Sequence, residues 1–378
     1  MRVFLCGDIS PTSYNMELFA AKDSVALFGD IADLFKTADE VIINLEVSLT
    51  EGGAPIKKIG PPLKATPNTA EVMRDIGITA CGMANNHILD MGAGALFETM
   101  RYLDAAGIKY FGAGKNDTDS RVWHVCEKDG SSLAVIAVGE HEYTYALPDA
   151  AGANPYDPYD TLDDIRAAKK TSDHVVVMYH GGKEFCCYPS PRLRKACRAM
   201  VKAGADAVFC QHSHVIGTME EYMGKHIVYG QGNFHFIGQP GAPRWGDFCH
   251  EGLIAEIEAG GGAFTVNYIP VISNGKGLRL MNGDEKKAAL GLFAKRSEKL
   301  NTDAWLTEWH EFCVNDAPGG PEQVKTLYTE AVRRTLLKDE DGSYDGFWNE
   351  LFKHHLYCET HTDVMLELFK TWRETLKY

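Results

Sequence analysis

The fold is decided by the stretch Met83-Ala84-Asn85-Asn86-His87-Ile88-Leu89-Asp90. It places two amides, an imidazole and a carboxylate directly after residues 78–83, whose apolar character predicts a buried strand. Residues 93–106 follow with the spacing of an amphipathic helix. The polar cluster therefore lies where a strand ends and a helix begins, which is the place where open α/β sheets bind their ligands.

Other predicted strands also end in side chains that can bind a metal. These strands cover residues 3–5, 40–45, 174–179 and 205–210. The candidates at all the strand ends are Asp8, Glu46, Asn86, His87, His180, His212 and His214. A single histidine beside an apolar strand is usually a core residue, but a set at successive strand ends is hard to explain by packing. Imidazoles and carboxylates together favour divalent ions such as Mn, Zn or Fe.

The spacing of these residues indicates two adjacent ions. His212 and His214 are two positions apart, so on an extended segment both side chains point to the same face. Such a pair can address two neighbouring ions. A two-metal site typically shares a bridging carboxylate, and Glu46 is the candidate. We expect a site of this kind to generate hydroxide near neutral pH and to clamp the attacking and leaving oxygens of a displacement.

His87 and Asp90 have a different predicted role. His87 cannot easily bind the same ion as its neighbour Asn86 while it is also paired with Asp90. A His–Asp pair can instead protonate a leaving oxygen, which makes His87 and Asp90 the candidate catalytic residues. The alternative for Asp90 is a helix N-terminal carboxylate favoured by the helix dipole.

Three further residues are candidates for substrate binding, each with an alternative. Lys64 could direct its ammonium group toward an anionic substrate or be solvated. Glu184 follows His180 closely and could instead support a metal ligand from behind. Asn233 ends the sequence Gly-Gln-Gly-Asn and could bind substrate or form a turn.

Charge and hydropathy exclude several classes of function. The net charge is −14, and no Lys/Arg-rich run is present, which argues against nucleic acid or an anionic membrane as partner. We predict a small-molecule or polymeric anionic substrate, because bound metal can supply the local positive charge. The N-terminus lacks the features of a signal peptide and no long apolar run occurs, so we predict a cytoplasmic protein. The oligomeric state stays open.

The chain divides by pattern into an α/β domain at residues 1–275 and an α-helical C-terminal extension at residues 276–378. Helical periodicity covers residues 284–300, 302–314, 321–337 and 343–376. The extension could mediate oligomerisation or cover the site as a cap. The other histidines with a predicted structural role are His124, His141, His174, His226, His310, His354, His355 and His361.

The ordered motifs resemble the bacterial capsule synthesis CapA family, also called the poly-gamma-glutamate synthesis protein family. That family is similar in fold to the calcineurin-like metallophosphoesterases. The resemblance covers about residues 1–273. The matching segments are Gly7-Asp8, Asn44-Leu45-Glu46, Ala84-Asn85-Asn86-His87 with Asp90 and Gly92, Gly112-Ala113-Gly114, His180-Gly181-Gly182 with Glu184, Gly204-Ala205-Asp206, His212-Ser213-His214-Val215, Glu221-Tyr222 and Gly232-Asn233-Phe234.

The resemblance implies a two-sheet αββα metallophosphoesterase-like sandwich with a C-terminal α-helical extension. It implies that Asp8 and His214 hold one ion, that Asn86, His180 and His212 hold the other, and that Glu46 bridges them. His87 would be the general acid, oriented by Asp90. The expected function is a metal-dependent hydrolase that cleaves a phosphoester with metal-bound hydroxide at a dinuclear centre. The alternative is a non-catalytic or amide-directed component of poly-gamma-glutamate or capsule polymer biosynthesis.

The chain departs from the related patterns at four positions. Ser10 stands where phosphoesterases carry a histidine, so one ion could be held more weakly or the site could prefer a single ion. Gln211 replaces a further histidine of the family, and Ser213 replaces a proline. Glu46 stands where phosphoesterases use aspartate, which lengthens the bridging side chain by one methylene.

Overall fold

The computed structural model describes residues 1–58, 60–238, 247–316, 329–330 and 353–375. Two mixed β-sheets pack face to face, and helices cover both outer faces. The core between the sheets joins Leu5 and Ile42 of the first sheet to Val176 and Phe209 of the second. This arrangement confirms the predicted αββα sandwich.

The sheets place the predicted ligands at the ends of parallel strands. The first sheet has the order β18-β17-β16-β1-β2-β5-β6, with β15 beside the end of β1, and the second has the order β13-β14-β12-β11-β9-β8. Strands β1, β2 and β5 are parallel in the first sheet, as are β9, β11, β12 and β14 in the second. The strands are β1 Arg2–Ile9, β2 Glu40–Leu45, β3 Ser48–Leu49, β4 Lys64–Ala65, β5 Ala80–Gly82, β6 Lys109–Phe111, β7 Ala113–Gly114, β8 His124–Lys128, β9 Ser131–Gly139, β10 Gly152–Ala153, β11 His174–His180, β12 Ala207–Gln211, β13 Met219–Tyr222, β14 Lys225–Val228, β15 Asn233–His235, β16 Glu251–Gly260, β17 Ala263–Asn274 and β18 Gly277–Leu280.

Helices form the two outer layers. The described helices are α1 Met16–Ala20, α2 Ser24–Phe28, α3 Ile31–Phe35, α4 Asn68–Asp75, α5 Gly92–Ala106, α6 Asp117–Ser120, α7 Asp160–Thr171, α8 Pro191–Ala203, α9 Gly283–Glu298, α10 Ala304–Glu311 and a last described helix, Glu359–Thr375. Helix α5 is the predicted helix after the opening stretch. Helix α8 begins where the Ser190 hydroxyl accepts a hydrogen bond from the Leu193 amide, and Pro191 occupies its first turn.

Alternate side chains of each central strand serve different cores, as the pleat of a strand requires. On β1, Phe4 packs toward the helices of the first sheet and Leu5 packs between the sheets. On β11, Val177 packs against α7 and α8, whereas Val176 faces the first sheet. Because both faces of these strands are buried, their sequences are continuous apolar runs that end in polar residues.

A bulge at the end of β1 positions Asp8. The register with β2 shifts between Leu5 and Asp8, and Asp8 then pairs with Asn233 of β15. A Cβ atom at Gly7 would lie 2.5 Å from the carbonyl oxygen of Gly232, so only glycine permits this close approach.

The first sheet continues past the predicted boundary at residue 275, because β18 pairs with β17. Phe293 of α9 enters the core between the sheets, and Leu300 and Trp305 pack on the second sheet. Residues 353–357 and Glu359–Thr375 are helical, as predicted. The predicted helix at 321–337, apart from residues 329–330, and residues 343–352 lie outside the described residues. Among the helices that the structure describes, none has the length and apolar character needed to span a membrane.

Candidate metal centre

Six of the predicted metal ligands come together between the ends of the two sheets. The ligand atoms of Glu46, His180 and His212 all lie within 4.8 Å of one another, and so do those of Asp8, Glu46 and His214. Glu46 belongs to both groups, and Asn86 adjoins the first through His180. All six side chains are buried. The two groups are the pairings that the resemblance implies, so the arrangement suits two adjacent ions that share Glu46.

The carboxylate of Glu46 is buried without a compensating partner. Its side chain is 0% exposed, and neither oxygen has a hydrogen-bond partner among the described residues. The nearest ring nitrogen, Nε2 of His180, lies 3.3 Å from Oε1. Burial raises the pKa of Glu46 well above its usual value, and the charge of Asp8 raises it further. A buried carboxylate of this kind is costly unless a cation faces it, so the residues present fit a divalent metal.

The Asp8 carboxylate is fixed by hydrogen bonds to both of its oxygens. Asn44 donates from Nδ2 to Oδ1 at 2.8 Å, and the backbone N–H of His212 donates to Oδ2 at 3.0 Å. Asn85 in turn donates to Oδ1 of Asn44 at 3.0 Å. Asn44 is thus a positioning residue that our sequence analysis did not single out, although it lies in the motif that ends in Glu46.

His180 and Asn86 present their ligand atoms side by side. Nε2 of His180 lies 3.0 Å from Oδ1 of Asn86. Two ligand atoms at right angles on one ion, each at about 2.1 Å, are about 3 Å apart, so the pair could hold the same ion. Burial lowers the pKa of His180 to about 4. Its imidazole is therefore neutral at pH 7, which is the form that binds metals.

His212 and His214 reach different ligand groups through a strained turn. The expectation of an extended segment is wrong, because their φ angles are +81° and +57°. Such left-handed backbone is rare outside glycine and is found most often at functional sites. His214 Nδ1 lies 2.9 Å from Oδ1 of Asn233, whose Nδ2 donates to the carbonyl of Cys249. Asn233 thus orients His214, a different role from the substrate contact that the sequence predicts.

His87 and Asp90 form the predicted pair. Nδ1 of His87 lies 2.6 Å from Oδ2 of Asp90. Lys58 joins them, because its buried ammonium donates to Oδ1 of Asp90 at 2.7 Å and lies 3.2 Å from Nδ1 of His87. Burial lowers the pKa of His87 to about 4, and the charge of Lys58 lowers it further against the opposing effect of Asp90.

The structure brings Lys58, not Lys64, to this cluster. Lys64 donates to the carbonyl oxygen of Glu51 at 2.7 Å and lines a surface groove together with Thr50 and Thr66. Both lysines lie between β3 and α4, Lys58 in the loop and Lys64 at the start of β4. Local sequence does not distinguish them, because the conformation of a loop depends on what it packs against.

Two acidic residues complete the surroundings of the centre. Glu142 is a residue that our sequence analysis missed, and its Oε2 lies 3.5 Å from Nε2 of His212. Burial raises the pKa of Glu142 to about 7, with a contribution from the charge of Glu184. Glu184 is half-buried, and its charge also raises the pKa of Glu46. The only signal for Glu142 was the irregular loop in which it lies, since such loops often line sites.

Two departures from the related patterns have structural consequences. Ser10 is fully buried, and its Oγ has no hydrogen-bond partner among the described residues. Gln211 lies between the sheets and donates to the carbonyl of Cys6 at 3.2 Å and to Oε1 of Gln231 at 3.1 Å. Gln211 therefore supports the strands behind the centre.

The C-terminal helical segment docks beside the centre. Glu359 accepts a hydrogen bond from the backbone N–H of His141 at 2.8 Å and lies 2.7 Å from its Nδ1. Arg192 bridges the loop to the last helix, with Nη2 2.6 Å from Glu140 and Nε 2.9 Å from Asp363. The segment thus holds the loop that carries Glu142.

Comparison with known proteins places this fold and site in a family. A protein of Bacillus subtilis (strain 168) named "PGA biosynthesis protein CapA" is 30% identical over 236 residues, which are 61% of this chain and 62% of that protein. The "Capsule biosynthesis protein CapA" of Bacillus anthracis is 29% identical over 243 residues, with coverage of 61% and 59%. The chain thus spans about three fifths of the length of these relatives.

Solved structures resemble the chain more distantly. A 5'-nucleotidase precursor from Thermus thermophilus superposes with a TM-score of 0.44 and 14% identity, covering 78% of this chain and 59% of that one.

The family described as "Bacterial capsule synthesis protein PGA_cap" matches residues 2–237, which include every candidate ligand at the strand ends. The chain belongs to this bacterial capsule synthesis protein family.

Proposed function

We propose that this chain is a metal-dependent hydrolase that cleaves a phosphoester at a dinuclear centre. The observation that carries the proposal is the buried carboxylate of Glu46, which lies in both ligand groups and has neither oxygen hydrogen-bonded to any described residue. Asp8 and His214 would hold one ion, and Asn86, His180 and His212 the other. Divalent ions bound there supply Lewis-acid charge and an activated water at neutral pH.

The residues around the ligands support turnover of an anionic substrate. His87 is bonded to Asp90 through Nδ1, which leaves Nε2 as the nitrogen that would give a proton to a leaving oxygen. That role requires the protonated ring, which the carboxylate of Asp90 favours and which burial and the charge of Lys58 oppose. The ammonium of Lys58 is fixed beside this pair by the backbone carbonyl of Asn86 at 2.9 Å. Lys183 is also buried, and its charge contributes to the lowered pKa of His212. These two lysines offset the acidity of the chain where an anion would bind.

Metal analysis and turnover of a chromogenic substrate test this proposal. The full chain, purified without chelator, should contain divalent metal and hydrolyse p-nitrophenyl phosphate or bis(p-nitrophenyl) phosphate with added Mn²⁺ or Zn²⁺. His87→Ala should retain the metal and lose most of the turnover. His226→Ala is the matched control, because His226 lies on β14 and faces Tyr268. A chain without metal and without activity after metal addition contradicts the proposal.

The alternative is an amide-directed or non-catalytic part in the synthesis of a glutamyl polymer. The family description and the names of the Bacillus relatives favour it. Poly-gamma-glutamate is the probe that separates the two. Cleavage of the polymer that depends on His87, without phosphatase activity, supports amide chemistry. Binding of the polymer that is the same in the wild type and His87→Ala, without any cleavage, supports an assembly role.

A further inference from the structure

The C-terminal segment carries a second group of metal-binding side chains, away from the strand ends. The ligand atoms of His354, Cys358 and His361 all lie within 4.8 Å of one another. His354 lies in the helical residues 353–357, Cys358 at the break after them, and His361 in the helix Glu359–Thr375. The spacings of four and three residues keep the three on one face of this helical stretch. The backbone supports this, because the N–H of Cys358 donates to the carbonyl of His354 at 2.9 Å.

His354 and Cys358 are buried, and His361 is half-buried. His354 is 6% exposed and Cys358 is 0% exposed. The His354 ring stacks on Tyr143 at 4.3 Å and lies 4.5 Å from the ring of His361. Among the described residues, Nδ1 of His354 has no hydrogen-bond partner. Native proteins rarely leave a buried polar atom without a partner, so this ring nitrogen is available to bind an ion.

The protonation of the group also suits a metal. Burial lowers the pKa of His354 to about 3 and lowers that of His361 well below its usual value. Both imidazoles are therefore neutral at pH 7 and have a lone pair for coordination. Burial raises the pKa of Cys358, but a bound divalent ion deprotonates a coordinating thiol.

A carboxylate faces the group from the opposite side. Oε1 of Glu142 lies 3.9 Å from Nε2 of His354, while Oε2 of the same side chain lies 3.5 Å from Nε2 of His212. Glu142 therefore stands between the strand-end centre and the C-terminal group. Because Glu142 approaches Nε2, it lies behind the ring when Nδ1 binds an ion, and it would support His354 rather than bind that ion. Three protein ligands leave the fourth position of a tetrahedral ion to a small molecule such as water.

We propose that His354, Cys358 and His361 form a metal site separate from the strand-end centre. A thiolate with two imidazoles selects a Zn²⁺-class ion over Mg²⁺ or Ca²⁺. An ion held there fixes the His354 ring, which stacks on Tyr143 and lies beside Glu142 in the neighbouring loop. The site is independent of the proposed hydrolysis, because none of its three ligands belongs to the strand-end centre.

A similar group elsewhere in the chain provides the control. Glu40, His124 and Cys126 also have ligand atoms within 4.8 Å of one another. Nε2 of His124 also has no hydrogen-bond partner among the described residues, but Glu40 and His124 are both half-buried, and the Glu40 carboxylate already accepts a hydrogen bond from Thr79. His124 also stacks on Phe111. The carboxylate of this group thus already has a partner, and we expect the group to bind no ion.

Cobalt substitution tests the proposal on the full chain. The chain is stripped with a chelator and reloaded with Co²⁺, and the near-ultraviolet spectrum and the Co²⁺ content are measured. Only a thiolate ligand gives an intense sulfur-to-cobalt charge-transfer band, and the strand-end centre has none. We expect the band in the wild type and in Cys126→Ser. Cys358→Ser should lose the band, and its Co²⁺ content should fall by one ion per chain. Absence of the band from the wild type, or its persistence in Cys358→Ser, overturns the proposal.

Two further variants keep the test decisive. If Cys358→Ser does not fold, His361→Gln retains the thiol and should weaken or shift the band, and an unchanged band counts against the site. Glu46→Gln should lose Co²⁺ from the strand-end centre and keep the band. Loss of the band in Glu46→Gln would show that the two groups are one site, which also overturns the proposal.

Discussion

The two groups of metal-binding side chains are assembled in opposite ways. The strand-end centre collects residues from Asp8 to His214, which come from both sheets. The C-terminal group lies within residues 354–361 of one helical segment. The first exists only when the whole sandwich has formed, because only the core between the sheets brings its members together. The second lies within one short helical stretch of the chain, which is covered by the loop at residues 140–145.

This difference shows which interactions stabilise each group. The ligands of the strand-end centre follow strands that are buried on both faces, so packing holds them in place before any ion binds. The segment that carries the C-terminal group is held by the polar contacts of Arg192 and Glu359 and by a small apolar cluster, in which Met365 and Leu368 pack with Trp309. A change at one group should therefore leave the other intact unless it acts through Glu142, which lies between them.

Glu46→Gln should have the largest effect. The variant removes the only side chain common to both strand-end groups, so we expect loss of both ions and turnover slower by on the order of 10³-fold. Glu40→Gln is the matched control, because Glu40 lies in the half-buried group with Cys126. When a chelator has removed the metal from both proteins, Glu46→Gln should unfold at a higher temperature than the wild type. The variant lacks the buried carboxylate that has no hydrogen-bond partner among the described residues. Full metal content in the variant would refute a bridging role.

Arg192→Met should loosen the C-terminal segment while leaving the strand-end centre loaded, and the apolar cluster around Trp309 should keep the segment docked. The change leaves the buried carboxylates of Glu140 and Asp363 without their shared cation, and we expect a cost of about 3 kcal/mol. Hydrogen exchange of the amides in Glu359–Thr375 should accelerate, while the metal content of the centre stays unchanged.

Arg198→Met is the control for this experiment. Arg198 lies on the same helix, but its partner Glu220 keeps Arg194 and the hydroxyl of Tyr229 after the change. We expect little change in exchange there. Equal acceleration in both variants would mean that α8 itself is destabilised, and that the Arg192 bridge does not hold the segment specifically.

Asn233→Ala should weaken metal binding without abolishing it. His214 loses the amide oxygen that orients its ring, and such supporting contacts contribute about 10-fold to 100-fold in metal affinity. Competition with a chromogenic chelator measures the change. Asn15→Ala is the control, because Asn15 contacts the buried His235 at 3.3 Å, and His235 belongs to neither ligand group. An unchanged affinity in Asn233→Ala would leave Asn233 with the predicted substrate role.

Ser10→Ala should have the smallest effect. The hydroxyl of Ser10 is buried without a hydrogen-bond partner among the described residues, so its removal should change the free energy of unfolding by less than about 1 kcal/mol. Ser172→Ala is the matched control, because the Ser172 hydroxyl is in the same state. Metal content should stay at the wild-type value. A loss of one ion would show that Ser10 acts as a ligand in place of the histidine of the related phosphoesterases.

The candidate ligands of the strand-end centre were accessible to sequence analysis because they follow strong patterns. Asp8, Glu46 and His180 each end an apolar run, and parallel strands bring such ends to one edge. The pairing of His87 with Asp90 was accessible because the two residues are three positions apart. The separation into two ligand groups came from the family resemblance, and the geometry agrees with it.

The errors and omissions concern residues whose role depends on distant parts of the chain. The path of the chain before α4 decides that Lys58, and not Lys64, reaches Asp90. The docking of the C-terminal segment decides the position of Glu142. His354 and His361 looked like ordinary structural histidines, because nothing local reveals that Tyr143 and Glu142 contact His354. The turn at His212 was not predicted either, since left-handed backbone at a histidine has no clear sequence signal.

The sequence by itself determined the buried strands, the polar residues that end them and the helix after the opening stretch. These features depend on hydrophobic periodicity, which is set by residues close together in the sequence. Only the tertiary structure decided which lysine reaches Asp90, that Glu46 is shared by two groups, and that Glu142 stands between two groups of histidines. These contacts join residues far apart in the chain, and their geometry follows from the packing of sheets, loops and the last helix rather than from local propensity.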